Sequence, residues 1–229
     1  MTRWLVVGDP HGDYTQLRQA LDSTPAPSAL ILLGDFELTR PLDRELQDCG
    51  IDFAATQVYW IAGNHDAESD AEYDHLYGSP LADRDLNARV VEIDGVRVAG
   101  LGGVFRGKVW NGVDTPRHRA RADFLKQVPK SQRWRDGVPR RHRVSIWPED
   151  VEALAGARAD VLITHEAPTS HPYGVAAIDD LARNIGARSI IHGHHHYRYT
   201  ARLGTTPGEP LVHGIALAEV VGLDPDADL

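Results

Sequence analysis

Five short apolar runs, each followed directly by a glycine or a polar side chain, constrain the fold of this chain more than any other feature. They lie at residues 4–7, 30–33, 58–62, 160–164 and 189–191. Runs of this length, rich in Val, Ile and Leu, are typical of buried β-strands. Between the first two runs, Leu17, Ala20 and Leu21 stand at helical spacing within residues 14–21. The resulting strand–helix–strand pattern predicts a layered α/β fold.

The polar residues that follow these runs are carboxylates, an amide and imidazoles. In chain order they are Asp9 and His11, then Asp35, then Asn64, His65 and Asp66, then His165, and finally His194 and His196. Because the carboxyl ends of strands in an open α/β sheet meet at one crevice, we expect these side chains to lie close together. Asp9 and His11 are two residues apart, and so are His194 and His196. An extended backbone would direct both members of each pair to the same side.

These side chains offer oxygen and nitrogen donors and no thiolate, a set that suits Mn, Fe, Zn or Ni. Seven of these nine side chains would already be too many ligands for one tetrahedral site. They suit two divalent cations that share a carboxylate, an arrangement that clamps the attacking and leaving oxygens of an in-line displacement. The pattern therefore predicts a dinuclear metal site.

The sequence blocks GDPHG, LGD, GNHD, THE and GHHH resemble, in this order, the signature blocks of the calcineurin-like metallophosphoesterases, and they span residues 9–196. The resemblance implies an α/β fold of four layers, with two mixed β-sheets flanked by helices and the metal site at the C-terminal ends of the strands. The metal ligands that it implies are Asp9, His11, Asp35 and His196 for one cation, and Asp35, Asn64, His165 and His194 for the other.

The same resemblance implies a phosphoesterase, a hydrolase acting on ester bonds. A hydroxide bridging the two metals would attack a phosphate ester, with a phosphodiester favoured over a monoester and manganese favoured as the metal. His65 would stabilise the phosphoryl oxygen or protonate the leaving group, with Asp66 as its orienting neighbour. Protein phosphatases of this superfamily carry Asp-Arg-Gly after the second Gly-Asp, whereas Leu38 stands here where that Asp would be. This departure argues against a protein phosphatase and leaves the support of His65 unassigned.

Residues 104–150 interrupt the pattern with a segment that we call the basic insertion. It holds 12 of the 24 Lys and Arg residues but 5 of the 33 Asp and Glu residues. Arg140, Arg141 and Arg143, with Trp134 and Trp147, would suit backbone phosphates and stacked bases, so the arginines are candidate substrate-binding residues. Alternatively, the tryptophans pack the insertion onto the domain and the arginines are solvated. Residues 96–155 also loosely resemble the corresponding region of RNA lariat debranching enzymes, which act on branched phosphodiesters.

Local signals complete the expected order of elements. Asp94-Gly95, between two alternating runs, predicts a type I′ β-hairpin. Helices are expected around residues 117–128, from Pro148 and over 175–185, and closing strands within 211–223. An acidic, frayed end is expected at 224–229.

Composition and charge narrow the class of protein. A chain with 42% hydrophobic and 25% charged residues fits one soluble domain over residues 1–229, with the basic insertion as a cap. No apolar run reaches the roughly eighteen residues of a membrane span. Cys49 is the single cysteine and no signal peptide is recognisable, which predicts a cytoplasmic protein.

Two competing functions remain beside the enzyme. One is a non-catalytic scaffold that keeps the fold for protein partners. The other is a nucleic-acid-binding protein that uses the basic insertion, through which the enzyme could also bind nucleic acid or a nucleotide. A full set of converging ligands argues against both alternatives, since neither needs it. The expected partners are thus a phosphate-ester substrate and two divalent cations.

Overall fold

Two β-sheets pack face to face in the computed structural model of the protein, which describes residues 3–23, 25–225 and 227. Among these residues, the first sheet contains β1 (Trp4–Val7), β2 (Ala29–Leu32), β3 (Gln57–Trp60) and β10 (Val220–Leu223). Their spatial order is β10-β1-β2-β3. β2 is parallel to both of its neighbours, whereas β10 is antiparallel to β1.

The second sheet contains, within the same described ranges, β4 (Arg89–Ile93), β5 (Val96–Leu101), β6 (Val161–Thr164), β7 (Ser189–His192), β8 (Tyr199–Arg202) and β9 (Leu211–Gly214). Their order is β4-β5-β6-β7-β9-β8, with β5, β6, β7 and β9 parallel and the two outer strands antiparallel. The β4–β5 connection has Asp94 at φ 51° and Gly95 at φ 81°. A type I′ turn needs positive φ at both central residues, so the predicted hairpin is confirmed.

Alternate side chains of β1 and β2 face different layers, which explains why these strands are apolar throughout. Trp4, Val6 and Ile31 pack with Ile163 and Ile191 of the second sheet in one buried cluster. The intervening side chains of the same strands belong to a separate cluster with the helices. Full burial of one such side chain stabilises the fold by about 1.5–3 kcal/mol.

Helices cover the outer face of each sheet. Those on the first sheet are α1 (Thr15–Ser23), α2 (Leu42–Asp48) and α3 (Asp70–Tyr77), and those on the second are α5 (Pro148–Ala155) and α6 (Ala176–Ile185). The layers are therefore helices, mixed sheet, mixed sheet and helices. The predicted four-layer α/β sandwich is confirmed.

Three elements were not expected from the sequence: α2, α3 and β8. Pro41 is the N-cap residue of α2, and its side chain makes no capping hydrogen bond. Helix α3 does carry a signal, a capping box in which Ser69 and Glu72 exchange hydrogen bonds with each other's backbone N–H groups. The expected closing strands within 211–223 are present, but they join different sheets, since β9 belongs to the second sheet and β10 to the first.

The basic insertion has a small apolar cluster of its own. It contains one α-helix, α4 (Arg121–Gln127), shorter than the helix predicted around 117–128. Val109, Phe124, Val138 and Trp147 pack together, and Trp147 is fully buried. Trp134 packs edge-on against Tyr73 of α3, with ring centroids 4.7 Å apart. Both tryptophans therefore serve packing.

In the part of the chain that the structure describes, no helix combines the length and the apolar character needed to cross a lipid bilayer. The frayed acidic end predicted at 224–229 falls partly on residues 226, 228 and 229, which lie outside the described residues.

Candidate metal centre

The carboxyl ends of five strands open onto one site between the two sheets. The first sheet contributes Asp9 and His11 after β1, Asp35 after β2 and Asn64 after β3, and the second contributes His165 after β6 and His194 and His196 after β7. Asp35 Oδ2 lies 3.4 Å from His165 Nε2, and Asp9 Oδ2 lies 3.4 Å from His196 Nε2. Both pairs join one sheet to the other. The structure thus brings the seven predicted ligand residues together.

His165 is fully buried, and the backbone fixes the orientation of its ring. Its Nδ1 donates a hydrogen bond to the carbonyl oxygen of Leu33 at 2.7 Å, so in the neutral ring the lone pair is on Nε2. Nε2 lies 3.3 Å from Asn64 Oδ1 and 3.4 Å from Asp35 Oδ2. Burial alone would lower the pKa of His165, but the charges of Asp35 and Asp9 raise it to about 10. The site therefore attracts positive charge to this nitrogen.

Asp9, His11 and His196 form a second group next to the first. His11 Nε2 lies 3.3 Å from His196 Nε2 and 3.7 Å from Asp35 Oδ2. The other ring nitrogen, Nδ1, contacts Glu37 Oε1 at 2.7 Å, the kind of partner that orients metal-binding imidazoles. Asp9 is fully buried, and among the described residues its Oδ1 has no hydrogen-bond partner. Burial raises the pKa of Asp9 above its ordinary value.

His194 brings a further imidazole to the site. Its ligand atom lies within 4.8 Å of those of Asp35 and His165, and a second such group joins it to Glu166 and His195. Burial lowers the pKa of His194 to about 3, and His165 adds to this effect. The imidazole is therefore neutral, which is the form that binds metals.

Two glycines allow the strands to approach the site closely. A Cβ atom at Gly63 would collide with Asp35 Oδ1 and the His165 ring, and one at Gly193 would collide with Asp9 Oδ1. The result is a dense set of nitrogen and oxygen donors that includes a buried carboxylate oxygen, Asp9 Oδ1, with no hydrogen-bond partner among the described residues. A buried oxygen of this kind usually contacts an ion or a polar group. The nitrogen and oxygen donors of the site fit divalent Mn, Fe, Zn or Ni.

The backbone at the site is not extended, so the reasoning from the two-residue spacing was wrong. Five of the seven predicted ligand residues have left-handed backbone: Asp9 (φ 20°), His11 (φ 43°), Asp35 (φ 53°), His194 (φ 68°) and His196 (φ 54°). Sharp left-handed turns at the strand ends, and not a pleated strand, direct the side chains inward. A non-glycine residue held in this region costs about 1–3 kcal/mol, and such strain clusters at functional sites.

His65 lies beside the predicted ligands. Its ring centroid is 5.1 Å from that of His11, and its backbone N–H donates to Asp35 Oδ1 at 2.8 Å. Its Nδ1 lies 2.9 Å from Glu68 Oε1. Glu68, three residues further along the chain, is therefore the group that supports the imidazole. The sequence analysis missed it, because only the turn after His65 makes this contact.

Asp66 was expected to orient His65, but its carboxylate contacts the backbone instead. Oδ2 accepts hydrogen bonds from the N–H groups of Asp35 at 2.9 Å and Gly63 at 2.7 Å. Oδ1 accepts one from the N–H of Phe36 at 2.8 Å. Asp66 is buried, and it ties the turn after β2 to the turn after β3. Its contacts hold Asp35 in position.

The three candidate arginines of the basic insertion lie in different environments. Arg140 donates to the carbonyl oxygen of Ala67 at 3.0 Å, which attaches the insertion to the turn before α3. Arg143 donates to the carbonyl oxygen of Trp134 at 3.3 Å, and its guanidinium lies 5.4 Å from the centroid of that ring. Arg141 is exposed to solvent. Packing explains Arg143 and in part Arg140, whereas Arg141 remains available to a ligand.

Arg106 is a further cationic residue at the site, and the sequence analysis missed it. With Arg140, Arg141 and Asn64 it lines a cavity of about 560 Å³. Its Nε is buried and lacks a hydrogen-bond partner within the described part of the chain. Burial lowers the pKa of Arg106, and the like charge of Arg141 adds to this effect. The sequence signal that could have revealed Arg106 is its position shortly after β5. The carboxyl end of β5 opens onto the same side as that of its parallel neighbour β6.

Comparison with known proteins identifies the family of this chain. The family model described as calcineurin-like phosphoesterase matches residues 2–198. An uncharacterised protein of Haemophilus influenzae is 42% identical over 200 residues, covering 86% of this chain and 85% of that protein. One crystal structure superposes with a TM-score of 0.61 at 13% identity, covering 99% of this chain and 96% of the other. A hypothetical protein from Thermus thermophilus has a TM-score of 0.48 at 16% identity, covering 93% and 75%. Because the family model matches most of its length, the chain belongs to the calcineurin-like phosphoesterases.

Proposed function

We propose that the protein hydrolyses phosphodiesters, in preference to phosphomonoesters, at a centre of two divalent cations. The observation that carries this proposal is the position of Asp35. Its Oδ2 lies 3.7 Å from His11 Nε2 on one side and 3.4 Å from His165 Nε2 on the other. A carboxylate between two groups of donors suits a shared ligand of a metal pair.

The residues that would hold the two cations divide around this carboxylate. They are Asp9, His11 and His196 for one cation, Asn64, His165 and His194 for the other, and Asp35 for both. When bound, the cations would lower the pKa of water so that hydroxide forms near neutral pH, and would withdraw charge from the phosphoryl oxygens. Manganese is the metal that we propose first.

His65 would act on the leaving group. Its Nδ1 contacts Glu68 Oε1 at 2.9 Å, which fixes the proton on that nitrogen. Nε2 is then the nitrogen that exchanges a proton, and it can protonate the departing oxygen. The backbone N–H of the same residue donates to Asp35 Oδ1 at 2.8 Å, so the imidazole keeps a fixed relation to the shared carboxylate.

The cavity beside Asn64 supports a diester. Its volume of about 560 Å³ leaves room for the second ester group, and Arg106 and Arg141 line it with positive charge. We expect Arg141→Ala to raise the KM for an oligonucleotide by about tenfold and to spare methyl p-nitrophenyl phosphate, while Arg44→Ala on α2 changes neither. Equal losses on both substrates would remove the arginine from substrate binding.

The test of the proposed function combines metal analysis with turnover. Purified protein with added manganese is assayed on bis-p-nitrophenyl phosphate and on p-nitrophenyl phosphate. The proposal expects bound metal and faster hydrolysis of the diester. Asp35→Asn should abolish both properties, whereas Asp52→Asn, in the exposed loop before β3, should retain them. Protein that binds no metal and hydrolyses neither ester would be a scaffold, and preference for the monoester would overturn the diester assignment.

We also keep two finer proposals that rest on the sequence. The protein is proposed to act in the cytoplasm, which is supported by the single cysteine, Cys49, being buried and unpaired. It is proposed to form one domain with the basic insertion as a cap, which is supported by the packing of Trp134 against α3.

A further inference from the structure

Exposed aromatic side chains lie near the predicted ligand His194, on segments outside the basic insertion. Tyr173 is 76% exposed and Tyr197 is 64% exposed, whereas large aromatic side chains are usually more buried than this. Next to them is a cavity of about 350 Å³ lined by Ser170, His171, Pro172, Tyr197 and Tyr199. This volume lies within the range of about 300–1,000 Å³ that is usual for ligand pockets.

The rings of this surface lie close to one another and reach His194, one of the predicted metal ligands. His171 and His195 lie parallel, with centroids 4.0 Å apart and planes 12° apart. Tyr173 is tilted relative to this pair, with its ring centroid 6.0 Å from that of His195 and the two planes 38° apart. His195 in turn contacts His194, with centroids 4.8 Å apart. We call Tyr173, His171, His195 and Tyr197 the aromatic surface.

Hydrogen bonds fix the loop and the neighbouring ring that support the aromatic surface. The Tyr199 hydroxyl lies 2.8 Å from His192 Nε2 and 3.1 Å from Ser170 Oγ, and its ring is roughly parallel to that of Tyr197. The loop that carries His171 is closed by two backbone bonds, from His171 N–H to the Pro168 carbonyl at 3.0 Å and from Gly174 N–H to the His171 carbonyl at 2.9 Å. A ring that is already fixed loses little entropy when a flat ligand stacks on it.

We propose that the aromatic surface binds the nucleobase of a nucleotidic phosphodiester whose phosphate lies at the metal centre; this rests on the proposed function. Stacked faces favour a flat, delocalised ring over an aliphatic chain. The ring must be joined closely to a phosphate, because His195 lies between the predicted ligands His194 and His196. A nucleotide carries a flat base and a phosphate on one sugar. Arg106 and Arg141, which line the cavity beside Asn64, suit the next phosphate of the same strand.

The kinetic test uses two esters that release the same leaving group. The p-nitrophenyl ester of thymidine 5′-phosphate carries a base, and methyl p-nitrophenyl phosphate does not. In the double variant Tyr173→Leu/Tyr197→Leu, KM for the thymidine ester should rise roughly 5- to 100-fold, the range for loss of one stacked base. KM for the methyl ester should stay unchanged. The double variant Tyr173→Phe/Tyr197→Phe should keep the wild-type preference, since it keeps both rings.

A matched control is Phe53→Leu, which removes a 42% exposed ring from the loop before β3, at the end of that strand away from Asn64. It should change neither KM. If the leucine double variant raises KM for both esters equally, or for neither, the aromatic surface does not bind the base and the inference is overturned.

A binding measurement separates this inference from the proposed function. Calorimetric titration of AMP and of ribose 5-phosphate, with added manganese, compares ligands that differ only in the base. The wild type should bind AMP at least about fivefold more tightly, and the leucine double variant should bind the two equally. This result without any hydrolysis would refute the proposed function and keep the base site. Equal affinity for both ligands in the wild type would overturn the base site, whatever the activity.

Discussion

Substitution of Asp66 by asparagine distinguishes a residue that holds the backbone from one that orients the His65 imidazole. The Asp66 carboxylate accepts three backbone N–H groups, from Asp35, Phe36 and Gly63, at 2.7–2.9 Å. Asparagine has one carbonyl oxygen, which can accept from Asp35 and Gly63. Its amide group would then face the N–H of Phe36, so this buried donor would lose its acceptor.

The expected loss follows from these bonds. One buried donor without a partner costs about 1–3 kcal/mol. Burial raises the pKa of Asp66 to about 7, so the loss of its charge adds little to this cost at neutral pH. We therefore expect Asp66→Asn to lower the free energy of unfolding at pH 7 by about 1–3 kcal/mol. At about 2–4 °C per kcal/mol for a chain of this size, Tm should fall by about 2–12 °C.

Thermal unfolding followed by circular dichroism, on protein treated with EDTA, measures this change without a contribution from metal binding. The control is Asp52→Asn, whose carboxylate accepts one exposed N–H, from Ala54, and whose Tm should shift by no more than about 2 °C. A variant Asp66→Asn that melts with the wild type but hydrolyses esters far more slowly would refute this reasoning. Asp66 would then act on His65.

Three further predictions concern the site and the fold. Glu68→Ala should lower kcat by about tenfold at unchanged KM, because His65 loses its support. Glu68→Gln should recover most of the rate. An equal loss of rate in both variants would mean that the amide oxygen cannot replace the carboxylate. Removal of metal with EDTA should lower Tm by about 5–10 °C, the effect of a ligand at about 100 times its Kd, and Asp35→Asn should abolish this difference; a metal-dependent Tm in that variant would contradict the ligand assignment. Burial raises the pKa of Asp85 to about 6, above its unfolded value, so ionisation should cost stability as pH rises from 4 to 6. Asp85→Asn should therefore exceed the wild type in free energy of unfolding, measured with urea, by about 1–2 kcal/mol at pH 7 and not at pH 4, and a constant difference would refute this.

Local patterns explain which parts of the molecule the sequence revealed. Strands such as Trp4–Val7 are buried on both faces, so their apolar runs are continuous and easily recognised. The side chains after them, such as Asp35 and His165, were expected to lie close together because parallel strands end at the same edge. The edge strand Tyr199–Arg202 has no such run, since it alternates between exposed and half-buried positions.

Other features depend on contacts that no local pattern encodes. Glu68 supports His65 only because of how the chain turns after β3, and Asp66 contacts backbone groups about thirty residues away. Arg143 resembles Arg141 in the sequence, yet its partner is the carbonyl oxygen of Trp134. The left-handed backbone at His11 was also hidden, because non-glycine residues rarely adopt it.

Residues of both sheets form the site, and this determines when it can assemble during biosynthesis. His11 and His196 meet although 185 positions separate them, and β1 acquires its second neighbour only when β10 arrives. A chain emerging from the ribosome therefore presents Asp9, His11 and Asp35 long before any second-sheet imidazole exists. Pairings over such separations also form slowly. Cation capture should accordingly be one of the last events in maturation, and nascent chains should carry no tightly held metal.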